Sequence, residues 1–337
     1  MLLHFFNPEN DLALAANDAH YTPPASAIKM ATDLQELPWS WARKGDCVLL
    51  RNGKIIDSRG QEVSPSQITE VRPWGWSPLV LTQLLNAGIN EAILPSASEV
   101  QAFRNIASRA TAADVLNKVK LQLAKDGFGD LLIGEAIVCN TLEEAHNAHK
   151  RWRRTLFKQP WSGSGRGLCL SLGSCLIEKS VSWIQRTINQ QGFVMAEPYY
   201  NKTLDLAMEF WRHADGRVTY EGLSLFSTTK GGVYSGNLIA SEEEKRYRLN
   251  AHVSLDLIDA TIKALCVELE KLDLGFYHGP IGVDQLTTHD AFQPCVEINF
   301  RNTMGWVALW QKHSSEGATN SIFRITHHGG NYMAEIF

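Results

Sequence analysis

The sequence predicts an α/β protein made of several α+β lobes that are built around mixed and antiparallel sheets. Two observations lead to this fold class. Short apolar runs alternate with turn signals in the first hundred residues, and a pair of long strands precedes a clear amphipathic helix further along the chain. The turns are too few and the helices too long for a β-sandwich. A chain of 337 residues is also longer than most single domains.

The first hundred residues predict a small α/β lobe. Asn52-Gly53 lies between two short apolar runs and signals a β-hairpin. Residues 92–94 predict a short strand. Ser96 and Glu99 then form a capping box, which predicts the start of a helix.

The rest of the chain predicts longer elements, of which the amphipathic helix with one apolar stripe at 255–272 is the clearest. Thr141 and Glu144 form a second capping box, which predicts the start of another helix. The predicted helices are 112–127, 141–154, 182–190 and 255–272, and the predicted strands are 131–139, 156–158, 193–197, 204–212, 217–226, 281–286 and 295–301. From these elements we predict an N-terminal α/β domain at 1–110, a small lobe at 111–195 and a large C-terminal lobe at 196–337.

Composition and charge limit the classes of partner. The net charge of −4 gives no electrostatic reason to expect nucleic acid or an anionic membrane. The six cysteines form no CxxC pair and no zinc-ligand cluster, which is typical of a reducing compartment. No apolar run approaches the roughly 20 residues of a membrane helix, and the short apolar start does not fit a signal sequence. We expect a cytoplasmic protein without a membrane anchor.

A lysine followed by a glycine-rich loop is the first candidate site. Lys158 ends an apolar strand, and the loop that follows contains Ser162, Gly163, Ser164 and Gly165. Glycines let backbone N–H groups approach phosphate oxygens, and a lysine at the end of a strand places a cation on them. The sequence does not fit a Walker A motif, because no Gly-Lys-Ser/Thr ends the loop. An ordinary surface loop explains the segment nearly as well.

The strand 295–301 carries the second candidate site. Strand alternation puts Glu297, Asn299 and Arg301 on one face. Carboxylate and amide oxygens suit Mg²⁺, and an arginine can orient an anion beside it. If the preceding apolar strand pairs with this one as a hairpin, Asp284 comes near Glu297, and a shared divalent cation relieves their repulsion. A solvated polar face is the alternative.

The third candidate lies where the strand 193–197 ends. Glu197 is followed by a proline turn with Tyr199, and Asp205 lies on the next strand. Such a turn can offer backbone groups to an adenine edge and an acid to a ribose. A buried strand that meets a proline turn is the alternative.

Taken in order and spacing, these segments resemble the ATP-grasp superfamily, which includes D-alanine–D-alanine ligase, biotin carboxylase and glutathione synthetase. The resemblance covers about residues 110 to 310. Asp284, Glu297 and Asn299 match the three metal ligands of the family, an acid followed thirteen residues later by Glu-x-Asn. Arg301 matches an arginine that some members carry near the transferred phosphoryl group and the substrate.

The resemblance also assigns contacts to the nucleotide. Lys158 matches the second ATP-binding lysine, with one residue inserted in the usual Lys-Pro pair. Lys118 lies 40 residues earlier, about where the first phosphate-binding lysine of the family sits. Glu197 matches the acid at the adenine linker, close to Tyr199, and Asp205 stands one residue late for the usual ribose acid.

The resemblance implies an ATP-grasp fold, in which two lobes with mixed or antiparallel sheets sandwich ATP behind a small α/β N-terminal domain. ATP and Mg²⁺, or Mn²⁺, are the implied cofactors. The γ-phosphoryl group would pass to a small-molecule carboxylate, giving an acyl phosphate that an amine, or less often a thiol, attacks. Lys158 and Arg301 are the implied catalytic residues. A phosphotransferase of the same fold and a non-catalytic nucleotide sensor are the alternatives, and the oligomeric state is left open.

Three further segments carry separate hypotheses. Residues 230–237 form a glycine-rich loop that is either a lid over the substrate or an ordinary surface loop. Residues 7–11 are a candidate for the substrate pocket, and an Asx/Pro turn is the alternative. His278 is either a proton-transfer residue or a structural histidine.

Overall fold

The computed structural model describes residues 1–163, 165–229, 234–314 and 321–337. Within these residues the chain forms three β-sheets and ten α-helices. The helices are α1 (Asn10–Ala16), α2 (Ala25–Asp33), α3 (Pro78–Asn86), α4 (Ala97–Ile106), α5 (Arg109–Lys125), α6 (Leu142–Trp152), α7 (Glu178–Gln191), α8 (Glu242–Leu249), α9 (Leu255–Glu270) and α10 (Met304–Ser314).

The strands of each sheet are consecutive in the chain. The first sheet contains β1 (Leu2–Phe5), β2 (Cys47–Leu49), β3 (Ile55–Asp57) and β4 (Glu70–Pro73). The second contains β5 (Ile137–Cys139), β6 (Arg154–Lys158), β7 (Leu168–Leu172) and β8 (Val194–Pro198). The third contains β9 (Leu204–Arg212), β10 (Val218–Thr228), β11 (Tyr234–Ile239), β12 (Gly279–Thr287), β13 (Phe292–Asn299), β14 (Ser321–His328) and β15 (Asn331–Ile336).

The first sheet has the order β3-β2-β1-β4, and β1 pairs in parallel with β2 and β4. The predicted hairpin between β2 and β3 is confirmed. The strand predicted at 92–94 is wrong, because Glu91–Ile93 forms a 3₁₀ turn. The side chain of Asn90 accepts a hydrogen bond from the Ala92 N–H at 3.0 Å and so caps a helical turn at this point.

The second sheet has the order β5-β8-β6-β7, and its pairs are antiparallel. The capping box predicted at the start of α6 is confirmed. Strand alternation directs Phe157 and Ala196 into the cluster formed with α6 and α7. Lys158 and Glu197, which alternate with them, therefore lie on the face that points away from these helices.

The third sheet has the order β13-β12-β9-β10-β11-β14-β15. Both predicted hairpins, β9 with β10 and β12 with β13, are confirmed. In the second of these hairpins, Asp284 lies directly opposite Glu297. Helix α5 packs against β13 and α9, so one edge of this sheet is covered by a helix.

One hydrophobic cluster joins the first sheet to the third. It includes the fully buried Leu3 of β1, Val119 of α5 and Leu265 of α9. The predicted domain boundaries after residues 110 and 195 fall inside α5 and β8. The division into three domains therefore stays a prediction, with boundaries that are better placed at the ends of these elements.

Several elements lie outside those predicted from the sequence, namely β7, β11, α10 and the β14–β15 hairpin. Among the described residues, the helices include none whose length and apolar character would let it cross a membrane.

Candidate functional site

The β12–β13 hairpin brings the three predicted metal ligands together. Its register places Asp284 opposite Glu297 and Gly282 opposite Asn299, so the oxygen-bearing side chains share one face. The Asn299 side-chain amide donates to Asp284 at 3.4 Å. Two carboxylates and one amide oxygen on adjacent strands suit a hard cation such as Mg²⁺, which completes its shell with water and phosphate oxygens.

The electrostatics of this hairpin agree with that donor set. Burial and, next, the negative charge of Glu297 raise the pKa of Asp284, Arg301 opposes the rise, and the net value is about 7. A divalent cation between the carboxylates would oppose both effects. No group of three or more His, Cys, Asp or Glu side chains in the described part of the chain is arranged to hold a metal ion. The candidate set therefore depends on the amide of Asn299.

Arg109 is a central residue of the site that the sequence did not reveal. It lies at the start of α5, where a positive charge is unfavourable next to the helix dipole. Its guanidinium donates to both carboxylate oxygens of Glu297 at 2.8 Å, and to the Ser162 hydroxyl at 2.6 Å. The signal that could have identified it is an arginine three residues before the predicted helix, directly after Ser108.

Lys118 does not lie in this cluster, and its role as a phosphate contact stays a prediction. It follows Arg109 by nine residues in the same helix, which is two and a half turns, or about 13 Å along the axis on the opposite side. Its ammonium pairs with Asp114 at 2.7 Å, and about half of the side chain is exposed. Among the cations of this helix, Arg109 is the one that contacts Glu297 and Ser162.

Lys158 and Glu197 form a buried ion pair on the second sheet. Their charged atoms lie 2.6 Å apart, and each side chain is less than 10 % exposed. The pair lies on the face that points away from α6 and α7. The Lys158 ammonium has three N–H donors, so it can bind a phosphate oxygen while it keeps its contact with Glu197.

The β12–β13 hairpin, which carries the three candidate metal ligands, is called the metal hairpin below. The buried thiol of Cys295 lies on its strand β13 and is affected by charges of both sheets. Burial raises its pKa, the negative charges of Asp284, Glu197 and Glu297 raise it further, and Lys158 lowers it. Arg109 joins the same two regions by contact, because it donates to the carbonyl of Gln159, the residue after Lys158, at 2.6 Å and to both oxygens of Glu297 at 2.8 Å. The structure therefore brings the predicted lysine and the predicted metal ligands together.

The second sheet also presents an apolar surface that the sequence prediction missed. Leu168 and Leu170 of β7 are 37 % and 43 % exposed, and they lie opposite Lys158 and Leu156 of β6. They therefore share the face that carries the buried lysine. The signal was the alternating sequence of β7, whose leucines recur at every second position. Such a surface suits the flat ring of a nucleobase.

The adenine and ribose candidates lie at the edge of this region. The backbone N–H of Tyr199 donates to the carbonyl of Arg154 at 2.9 Å, and the tyrosine ring is 37 % exposed. Asp205 lies on the same face of the third sheet as Asp284, accepts from the Thr228 hydroxyl at 2.9 Å and pairs with Lys202. Their roles stay predictions.

The glycine loop closes over Arg109 and the N-terminal lobe. Ser162 accepts from Arg109 through its hydroxyl and its carbonyl. A Cβ at Gly163 would lie 2.0 Å from a carboxylate oxygen of Asp11, so only glycine fits there. Gly165 has a φ of 72°, which glycine adopts readily. Ser164 and residues 230–233 of the predicted lid lie outside the described residues, and the rest of that loop belongs to β11.

Arg301 connects the metal hairpin to the first lobe. Its guanidinium donates to the two oxygens of Asp11 at 2.9 and 2.8 Å, and to the Asn299 side-chain oxygen at 2.8 Å. Asn302 donates its backbone N–H to the carbonyl of Trp74 at 2.9 Å. The predicted involvement of residues 7–11 thus rests on Asp11. His278 instead lies 3.5 Å from Glu70 of β4, away from these contacts.

A fully buried carboxyl group, Glu209, lies beside the metal hairpin. Glu209 lies on β9, opposite Gly282 of β12. One oxygen of its carboxyl group accepts from the Thr303 hydroxyl at 2.8 Å, and the second oxygen has no hydrogen-bond partner among the described residues. Burial raises the pKa of Glu209 to about 8, and the charge of Asp284 contributes to the rise. Glu209 is therefore largely protonated in the folded protein at neutral pH.

The Glu209→Gln variant is expected to flatten the dependence of stability on pH. The folded-state pKa of Glu209 is about 8 and the ordinary value is 4.5, so the wild type loses unfolding free energy as pH rises from 4.5 to 8, on the order of a few kcal/mol. The variant lacks this loss, and chemical denaturation at pH 5 and pH 8.5 measures it. The exposed Glu221→Gln variant is the control, and an unchanged pH dependence in Glu209→Gln would contradict the buried-acid assignment.

Comparisons with known proteins identify the fold. Neither a family model nor a curated protein matches the chain. A solved N5-carboxyaminoimidazole synthetase from Staphylococcus aureus, in complex with ADP, is similar at 11 % identity and a TM-score of 0.50, with 97 % of this chain and 82 % of that chain covered. A second N5-carboxyaminoimidazole ribonucleotide synthetase, also an ADP complex, has 12 % identity, a TM-score of 0.50 and coverages of 97 % and 81 %. At such identities the similarity establishes the fold alone.

Proposed function

The chain has the ATP-grasp fold, and on that premise we propose that it is a ligase that uses MgATP to activate a carboxylate as an acyl phosphate for attack by an amine or thiol, with release of ADP and phosphate. One observation carries the proposal. Arg109 contacts both the carbonyl of Gln159, directly after the buried Lys158, and Glu297, which lies opposite Asp284.

Cations of the chain would neutralise the phosphates. Lys158 precedes the glycine loop and has donors beyond the one on Glu197, whereas Arg109 contacts the loop and can exchange Glu297, which would pass to the metal ion, for phosphate oxygens. Arg109 also holds Ser162, so the exchange would reposition the loop. The exposed leucines of β7 would contact the base.

Asp284, Glu297 and Asn299 would hold Mg²⁺, with Mn²⁺ as a substitute. When bound, the ion neutralises charge on the transferring phosphoryl oxygens. Arg301, which presents a bidentate fork, would orient the carboxylate that accepts the phosphoryl group. The contribution of the protein is thus positioning and charge compensation.

The test is product analysis with the full chain, MgATP, a panel of small carboxylates and hydroxylamine as a general nucleophile. A ligase forms ADP, phosphate and a hydroxamate in equal amounts. A stable phosphorylated product would instead identify a phosphotransferase. Tight ATP binding without ADP formation for any carboxylate would identify a nucleotide sensor and contradict the proposed ligase.

A further inference from the structure

A small cavity lies where the N-terminal lobe, the glycine loop and the metal hairpin meet. Its volume is about 30 Å³, which is room for one or two groups of the size of a water molecule. Its polar lining comes from three distant segments and includes Asn10, Asp11, Arg109, Glu297, Asn299 and Arg301. A ligand therefore reaches this cavity with a small head group and not with a large ring.

The charges of the cavity are arranged in two internal ion pairs. Arg301 donates from Nε and Nη2 to the two oxygens of Asp11, whereas Arg109 donates from Nη2 alone to both oxygens of Glu297. The four side chains are mostly buried, with exposures between 6 % and 22 %. Because the two positive charges balance the two negative ones, a ligand of net charge enters only by leaving one of these groups without a partner.

The two pairs would be opened by different ligands. In the proposed complex with MgATP, Glu297 would bind the metal ion and Arg109 would bind the phosphates. The remaining pair, Arg301 with Asp11, is then opened by the carboxylate that is to be activated. A simple carboxylate on Arg301 would displace Asp11 and leave its charge unpaired in a buried place near phosphate, which is strongly unfavourable. A ligand that also carries a cation would compensate Asp11.

We infer that the carboxylate substrate is a zwitterion of the amino-acid type, whose carboxylate binds Arg301 and whose ammonium group binds Asp11. This inference rests on the proposed function. Asp11 would act as a specificity-determining residue, and Gly163 supports it, because the loop backbone closes directly against its carboxylate. The geometry indicates the head group of the substrate but does not indicate its side chain.

The test compares matched probes on the full chain with MgATP and hydroxylamine. The zwitterions are the standard L-amino acids, D-alanine and β-alanine, and the partners are their N-acetyl derivatives and the deaminated acids. Hydroxamate and ADP formation give kcat/KM for each probe. Thermal shift in the presence of Mg²⁺ and a non-hydrolysable ATP analogue gives binding without turnover. At least one amino acid is expected to exceed its N-acetyl partner by about a hundredfold in kcat/KM, in line with the loss of a buried ionic partner.

Asp11→Asn is expected to reduce this preference at least tenfold through KM for the amino acid, with the KM for ATP unchanged. Asp18→Asn, on an exposed turn just after α1, is the matched control. If Asp11→Asn does not fold, the comparison of probes on the wild type still decides. Equal activity with amino acids and their N-acetyl or deaminated partners overturns the inference and leaves the ligase proposal standing. No hydroxamate and no ADP from any probe overturns both.

Discussion

Glu297→Gln is expected to lower Mg²⁺-dependent ADP formation by about a thousandfold while the protein stays folded. The substitution removes one of the two negative charges that Asp284 and Glu297 offer to the cation. It keeps the shape of the side chain, and the amide oxygen can still accept a hydrogen bond from Arg109. ADP formation measured across Mg²⁺ concentrations, together with the melting temperature, checks both parts of the expectation.

Asn299→Ala removes the neutral ligand of the same proposed metal site. Mg²⁺-dependent ADP formation is expected to fall here too, because only two carboxylates remain to hold the ion. Glu62→Gln is the matched control, since Glu62 is exposed and pairs with Lys54 on the surface. Retention of normal turnover by both Glu297→Gln and Asn299→Ala would remove the metal assignment.

Arg109→Ala is expected to reduce kcat/KM for ATP by about a hundredfold, and Lys118→Ala is expected to leave it within twofold. Arg109 contacts both Glu297 and the glycine loop from a buried position, whereas Lys118 pairs with Asp114 at the surface. Steady-state kinetics with ATP as the varied substrate show whether Arg109 or Lys118 is the residue that binds the phosphates.

Loss of a buried ionic partner also destabilises a protein, so Arg109→Ala needs a second measurement. Arg109→Lys keeps the charge and loses the bidentate fork, and calorimetry of MgADP binding below the melting temperature separates binding from folding. A large loss in Lys118→Ala with normal kinetics in Arg109→Ala would restore the original assignment and refute the one made from the structure.

Local pattern was sufficient for the metal hairpin. Asp284 and Glu297 lie on consecutive strands, so alternation and hairpin pairing alone place them opposite each other. The capping boxes of α4 and α6 were equally local, and they are confirmed. These features need no knowledge of distant segments, and for that reason they are readable in one sequence.

The remaining site residues depend on contacts that no local pattern encodes. Arg109 meets Glu297 across 188 residues of sequence, and Asp11 meets Arg301 across 290. The position of Lys118 away from the cluster has a related cause. The predicted helix began three residues late, and spacing alone did not show which side of the helix faces the site. Lys118 therefore lies on the side of α5 opposite to Arg109.

Backbone hydrogen bonds connect the first lobe to the residues that follow β13. Gly75 forms a β-bridge with Arg301, and the carbonyl of Trp74 accepts from the N–H of Asn302. Under the proposed function, Asp11 of the first lobe would select the substrate, whereas Asp284, Glu297 and Asn299 of the third sheet would hold the metal ion. Substitutions around Asp11 would then alter which acid is selected and leave the metal ligands unchanged.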